Sequence, residues 1–180
     1  MRRNATQRRD ARFCVSTKKF ILSGLVDAHV HIESSMLPPS EFARMAVRHG
    51  TLAAASDPHE IANVLGIEGI DLMIADSARF RFRIVFGAPS CVSATPFETA
   101  GASITADDIE KLFKNSQISY LSEMMIFLGV VHRDPEVMAK IVVAQKYGKP
   151  VDRHAPGLTG EALRQYIFFG SSNKSYYRTK

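Results

Sequence analysis

The chain has 180 residues, of which 46% are hydrophobic, so it is long enough to bury the core of one globular domain. Its net charge of +5 resides in the two ends, because residues 1–20 carry +6 and residues 171–180 carry +3, which leaves −4 for the remainder. Since the basic balance belongs to the ends and not to the body of the domain, the charge distribution argues against a nucleic-acid partner. No apolar run approaches the roughly 18 residues of a membrane span, so no membrane partner is expected either.

The first segment, residues 1–20, is rich in arginine and has no apolar stretch of the kind that a secretory signal contains. We predict a disordered segment here, and a mitochondrial transit peptide is the alternative that the composition loosely allows. The two cysteines, Cys14 and Cys91, are far apart, so neither a thiolate zinc site nor a disulfide framework is predicted. A reducing cytoplasm is the expected compartment.

The next stretch, residues 24–35 (GLVDAHVHIESS), has the pattern of one apolar strand. Alternate residues of a strand share a face, so four groups that can bind metals are predicted to point the same way. These are Asp27, His29, His31 and Glu33. A His-x-His pair alone is equally typical of surface or hydrogen-bonded histidines. In this context it resembles the first strand of the amidohydrolase superfamily, whose barrels hold one or two divalent metals at the strand ends.

The chain from residue 21 onward alternates short apolar strands with helical patterns. Helices are predicted at 41–48 with Ser40 as N-cap, 61–78, from a capping box at Thr105 to 113, and from Asp134-Pro135 to 147. The further strands are predicted at 51–56, 81–88, 118–123 and 150–154. Five repeats of strand, loop and helix indicate an α/β fold built from parallel βαβ units.

Polar side chains follow each of these strands, at the edge where parallel barrels carry their chemistry. They are His29 and His31, then Asp57, His59 and Glu60, then Ser90 and Cys91, then Glu123, and finally His154. Taken singly, His59 could cap a helix, Glu123 could pair with a basic neighbour, and His154 could be a core histidine. Their shared position at successive strand ends favours a metal site.

Several longer runs resemble the signature segments of bacterial and archaeal adenine deaminases. They are HVHIESSMLPPSEFA (29–43), DPHEIANVLG (57–66), APSCVSATPFETAGA (88–102), SEMM (122–125) and HAPGL (154–158). The resemblance implies that residues 21–170 form about the first five βα units of a partial TIM-type (β/α)8 barrel. It implies hydrolytic deamination of a small-molecule purine, adenine, to hypoxanthine and ammonia.

The same resemblance implies the roles of individual residues. His29 and His31 would bind a first metal, Glu123 would bridge two metals, and His154 would bind the second. The implied centre is binuclear manganese or iron, and imidazole and carboxylate ligands also suit zinc. The purine would be contacted by residues that follow the first three strands, namely Glu33, Asp57, His59, Glu60 and Ser90.

Departures from the family pattern define the alternatives. A complete barrel has eight strands, whereas five are predicted here and a divergent tail, SSNKSYYRTK (171–180), stands where the family has its Asp-His-Glu segment. No catalytic acid or base is therefore assigned, and we expect a truncated product of impaired activity. The alternative is an inactive relic that self-associates through open strand edges. A cyclic-amide hydrolase such as a dihydroorotase is a weaker alternative, because such enzymes carry a carboxylated lysine where Glu123 lies.

A smaller departure is Arg153, which stands where the family has glycine before the strand-five histidine. If His154 faces the barrel interior, strand alternation turns Arg153 toward the helix layer. A charge there is costly unless another group compensates it.

Overall fold

The computed structural model describes residues 22–93 and 97–169, and within these ranges five parallel strands form one sheet in the order β1-β2-β3-β4-β5. The strands are β1 Leu25–Val30, β2 Thr51–Ser56, β3 Arg83–Pro89, β4 Ile118–Met124 and β5 Val151–Arg153. The helices are α1 Pro39–Arg48, α2 His59–Leu65, α3 Ile67–Ser77, α4 Ala106–Phe113, α5 Phe127–Val131, α6 Pro135–Lys146 and α7 Gly160–Phe169. The predicted α/β fold is confirmed as half of a TIM-type barrel. The disordered segment and the divergent tail predicted at 1–20 and 171–180 lie outside the described residues.

The predicted starts of two helices are confirmed by their capping contacts. The Thr105 hydroxyl accepts a hydrogen bond from the backbone N–H of Asp108, whose carboxylate in turn accepts one from the backbone N–H of Thr105. The carboxylate of Asp134 accepts the N–H groups of Glu136 and Val137 at the start of α6. Each cap satisfies backbone donors that the first helical turn leaves without an intrahelical acceptor.

Two predicted helices differ from the structure. Ser40 is not the N-cap of α1, because Pro39 occupies the first helical turn and the Ser40 N–H instead donates to the Asp76 carboxylate at 2.8 Å. The helix predicted over 61–78 is divided into α2 and α3 at Gly66. Gly66 has φ +62° and ψ −140°, a conformation that only glycine adopts without strain, so its conformational freedom ends one helix and begins the next.

The first strand is shorter than predicted. It ends at Val30, and Ile32–Ser35 form a turn of 3-10 helix. Ile32 is fully buried in the core, which fixes this turn against the sheet. The prediction that Glu33 continues the face of His29 and His31 on the strand is therefore wrong, because the strand period of two no longer applies after Val30.

The core lies between the sheet and the helices that cross over it. Fully buried residues of β3 and β4, such as Phe86, Ile118 and Leu121, pack with Ile109 of α4 and Ile141 of α6. Among the helices of the described ranges, none combines the length and the apolar character needed to cross a bilayer. In these ranges β1 and β5 are the outer strands of the sheet, and self-association through their edges stays a prediction.

The capping box provides a direct test of the helix layer. Replacement of Thr105 by alanine removes the acceptor for the Asp108 N–H, so we expect the free energy of unfolding to fall by about 1 kcal/mol. Urea denaturation followed by circular dichroism measures the change. Thr99→Ala, at an exposed threonine outside any helix, is the matched control and should leave the free energy unchanged. Equal stabilities of the two variants would contradict the role of the cap.

Candidate metal centre

A cluster of imidazoles surrounds one carboxylate at the carboxyl ends of the strands. Glu123 Oε1 lies 3.1 Å from His29 Nε2 and 3.2 Å from His154 Nδ1, and Oε2 lies 3.4 Å from His31 Nε2. Glu123 is only 8% exposed. The four residues predicted as metal ligands are thus brought together around a single buried carboxylate, while their roles as ligands stay a prediction.

The curvature of the sheet creates this cluster. His29 belongs to β1 and Glu123 to β4, and two strands separate them in the sheet. Their side chains can touch only because the strands curl round a common interior. His154 directly follows β5, the strand next to β4, and contacts the same oxygen of Glu123 as His29 does.

The orientation of His31 is fixed by a backbone group. Its Nδ1 lies 3.0 Å from the carbonyl oxygen of Asp57, which can only accept, so Nδ1 carries a proton that it donates. In the neutral ring the lone pair is then on Nε2, which lies 3.1 Å from Nε2 of His29. Two nitrogens this close repel each other unless a proton or a cation lies between them. The chemistry of the donor set, two imidazoles with a carboxylate, fits a divalent transition metal ion.

Charges within the cluster shift its titration strongly. Hydrogen bonds to Asp152 and Glu123 raise the pKa of His29 from 6.5 to about 9, against the opposing effect of burial. The hydrogen bond to Glu123 likewise raises the pKa of His31 to about 9. Burial favours a neutral carboxyl at Glu123, but the hydrogen bonds from the two imidazoles outweigh it and hold the pKa of Glu123 well below its usual value. Without an ion, protons on the imidazoles therefore balance the carboxylate.

A second group of possible ligands overlaps with the first. One donor atom each of His31, Asp57, His59 and Glu123 lies within 4.8 Å of the others. The Asp57 carboxylate is buried and already has two partners, because Oδ1 accepts the Ser122 hydroxyl at 2.7 Å and Oδ2 lies 3.3 Å from His59 Nδ1. Each oxygen of this carboxylate has a second lone pair, so Asp57 can bind an ion while it keeps these contacts.

The residues predicted to contact substrate are in different situations. The Ser90 hydroxyl is buried and donates to the backbone carbonyl of Glu123 at 2.7 Å. Glu60 accepts the Ser34 hydroxyl at 2.7 Å near the surface. Glu33 Oε1 accepts the Ile61 N–H, whereas its buried Oε2 has no hydrogen-bond partner among the described residues. Burial also raises the pKa of Glu33. Their contact with a substrate stays a prediction.

Three supporting residues were not predicted from the sequence. Asp152 Oδ2 lies 3.5 Å from His29 Nδ1, Ser122 contacts Asp57, and the Tyr166 hydroxyl donates to the carbonyl of Met124 at 2.7 Å. Asp152 could have been found, because strand alternation places it on the same face as His154. Arg153 faces the helix layer as predicted, with its guanidinium 5.7 Å from the centre of the Tyr166 ring.

Comparison with known proteins gives one consistent result. Residues 20–176 match the model of the amidohydrolase family. Similar curated proteins include the adenine deaminases of Methanosarcina barkeri, at 57% identity over 86% of this chain, and of Salinibacter ruber, at 56% over 85%. The adenine deaminase of Sulfurovum is 58% identical over 84%. The chain spans about 28% of the length of each of these relatives.

The cluster predicts that His29 of β1 and His31, which follows the strand, are needed to bind a metal. We expect the purified chain to bind Mn²⁺ or Zn²⁺, and His29→Gln/His31→Gln to lose at least about tenfold in affinity, because two imidazole donors are removed. Isothermal titration calorimetry measures the affinity. His49→Gln/His132→Gln, which removes two exposed histidines outside the cluster, is the matched control. Equal affinities of the two double variants would contradict the proposed ligands.

The raised pKa values of the two histidines predict how metal affinity depends on pH. Both imidazoles are protonated below a pKa of about 9 in the metal-free chain, and an ion must displace those protons. Affinity should therefore rise as the pH increases from 6.5 towards 9, with release of protons. Calorimetry in buffers of different ionisation enthalpy counts the protons released. An affinity that is constant over this range, with no proton release, would contradict the prediction.

Proposed function

Since the chain belongs to the amidohydrolase family, we propose that it provides the metal-binding part of an active site that hydrolyses adenine to hypoxanthine and ammonia. The observation that carries this proposal is the convergence of His29, His31 and His154 on the buried carboxylate of Glu123. The substrate class is supported by relatives at 56–58% identity that are named adenine deaminase.

The proposed ligands divide between two ions. His29 and His31 would hold the first, Glu123 would be shared between both, and His154 would hold the second. Manganese or iron is the proposed metal, and zinc also suits imidazole and carboxylate donors. When bound, such a centre supplies a nucleophilic water near neutral pH.

Other groups of this chain fix the orientation of the residues that would hold such a centre. The Asp57 carbonyl orients His31, and the Ser90 hydroxyl supports the backbone carbonyl of Glu123. The carboxylate of Glu123 offsets the charge of the ions, and its burial keeps bulk water from competing for them. The ligands therefore need little rearrangement when an ion binds.

The proposed purine site lies beside the metal ligands, on the segments that follow β1 and β2. Asp57 and Ser90 are already engaged with protein groups, and His59 pairs with Asp57 through Nδ1, whereas Glu33 Oε2 has no hydrogen-bond partner in the described ranges. A purine presents both N–H donors and ring-nitrogen acceptors along its edge. We therefore assign the direct contacts to Glu33 and His59, with Glu60 at the rim, and supporting roles to Asp57 and Ser90.

Deamination also needs a proton donor for the departing ammonia. No residue of the described ranges is assigned to that step, and five strands surround the site from one side only. We therefore propose that the 180-residue chain alone has little or no deaminase activity. The alternative is that the chain is an inactive relic of such an enzyme. In that case its residues would no longer support catalysis, even with the rest of a barrel present.

An exchange of segments tests the proposed function. Residues 22–169 replace the matching segment of the Methanosarcina barkeri adenine deaminase, and ammonia release from adenine is measured with added Mn²⁺. We expect the chimera to be active, and His29→Ala/His31→Ala in the chimera to lose activity by at least about 100-fold, because the first ion loses its imidazole ligands. The 180-residue chain alone should release ammonia at background rate.

The control for this exchange is the chimera with His49→Gln, an exposed histidine that should not affect the rate. A chimera that folds and binds metal but does not deaminate adenine would favour the inactive relic. Metal-dependent turnover by the 180-residue chain alone would overturn the prediction that it is inactive.

A further inference from the structure

We propose that Asp152 is a positioning residue of the metal centre, which holds the His29 imidazole in the tautomer whose Nε2 lone pair faces the ion. This inference rests on the proposed metal-dependent function, and it adds a residue that the sequence and the family resemblance do not assign. Its basis is the placement of one imidazole between two carboxylates.

The His29 ring has a carboxylate at each of its nitrogens. Nδ1 lies 3.5 Å from Asp152 Oδ2, and Nε2 lies 3.1 Å from Glu123 Oε1. The ring is 9% exposed, so water does not compete effectively for either nitrogen. An ion can bind Nε2 only when the ring proton is on Nδ1, and a carboxylate is the stronger acceptor for that proton.

The neighbouring histidine shows the same arrangement with a different acceptor. His31 donates its Nδ1–H to the backbone carbonyl of Asp57 and turns Nε2 toward Glu123. At His29 the corresponding group is the Asp152 carboxylate, whose Oδ2 lies 3.5 Å from Nδ1. Histidines that bind metals usually donate their other N–H to a carboxylate or a carbonyl, and the two ligands of this centre use one of each.

Asp152 also makes a local contact, which by itself would give this residue a purely structural role. Its Oδ1 accepts the backbone N–H of Arg153 at 2.9 Å, within the end of β5. This bond uses one oxygen and leaves Oδ2 for His29. Asparagine keeps an acceptor for the Arg153 N–H but presents an N–H donor to His29 Nδ1. That donor favours the tautomer with the proton on Nε2, and in this tautomer Nε2 has no lone pair for an ion.

The experiment uses the complete 180-residue chain and Zn²⁺, which permits NMR because it is diamagnetic. Zinc affinity is measured by competition with a chelator, and the His29 tautomer by long-range ¹H–¹⁵N spectra of ¹⁵N-histidine-labelled protein. We expect Asp152→Asn to bind zinc about 10- to 100-fold more weakly than the unaltered chain. Asp71→Asn, at an exposed aspartate of α3, is the matched control and should bind like the unaltered chain.

The spectrum of the zinc-loaded, unaltered chain is a second test that does not depend on how the variant folds. We expect its His29 to carry the proton on Nδ1. Zinc bound through Nδ1, or an Asp152→Asn chain that binds zinc as tightly as Asp71→Asn, would overturn the proposal. An unaltered chain that does not bind zinc would also overturn it. Deamination is not used as a readout, so an inactive chimera would count against adenine hydrolysis and not against the role of Asp152.

Discussion

A carboxylate that is almost fully buried is the constraint on which this half-barrel depends. Removing the charge of Glu123 from water costs several kcal/mol unless nearby groups compensate it. The strands of the sheet provide that compensation by curling until three imidazoles reach its two oxygens. Protons on His29 and His31, or divalent ions among the side chains, can neutralise this charge. The same arrangement of side chains therefore suits both the protonated and the metal-bound site.

The polar groups behind the cluster follow from the same constraint. Lys140 of α6 is 5% exposed, and its ammonium donates to the carbonyl of Ser90 at 3.1 Å, while the Ser90 hydroxyl donates to the carbonyl of Glu123. Ser122 reaches Asp57 past Gly87, where a Cβ atom would lie 2.6 Å from the Cβ of Ser122. Glycine is required at position 87 because any side chain would displace Ser122, and with it the support of Asp57.

The sequence predicts the sheet and most helices because those elements depend on local signals. Thr105 and Asp134 carry their capping partners within three residues, and the limits of β2 follow from one apolar run. The strand predicted through Glu33 failed because burial of Ile32 in the core, a tertiary contact, ends the strand pattern at Val30. The hydrophobic periodicity of residues 61–78 continues across Gly66, so it predicts one helix. The break at Gly66 depends on its positive φ, which the hydrophobic pattern does not reveal.

The candidate site shows the same division between local pattern and tertiary contact. The alternation of residues along a strand predicted that His29 and His31 share one face. Their position at the end of a strand predicted that they lie near Glu123 and His154, which also lie at strand ends. The pairing of His29 with Asp152 could not be predicted, because it joins β1 to β5 across the interior and depends on how far the sheet curls.

The protonated cluster also determines how folding and metal binding are coupled. In a small zinc domain the ligands are ordered only by the ion, so binding and folding occur together. Here the apolar core orders the strands, and protonated imidazoles satisfy Glu123 before any ion arrives. An ion that binds at the proposed ligands would therefore replace protons in a site that is already formed. Its free energy of binding would be reduced by the cost of removing those protons, but it would not have to order the chain.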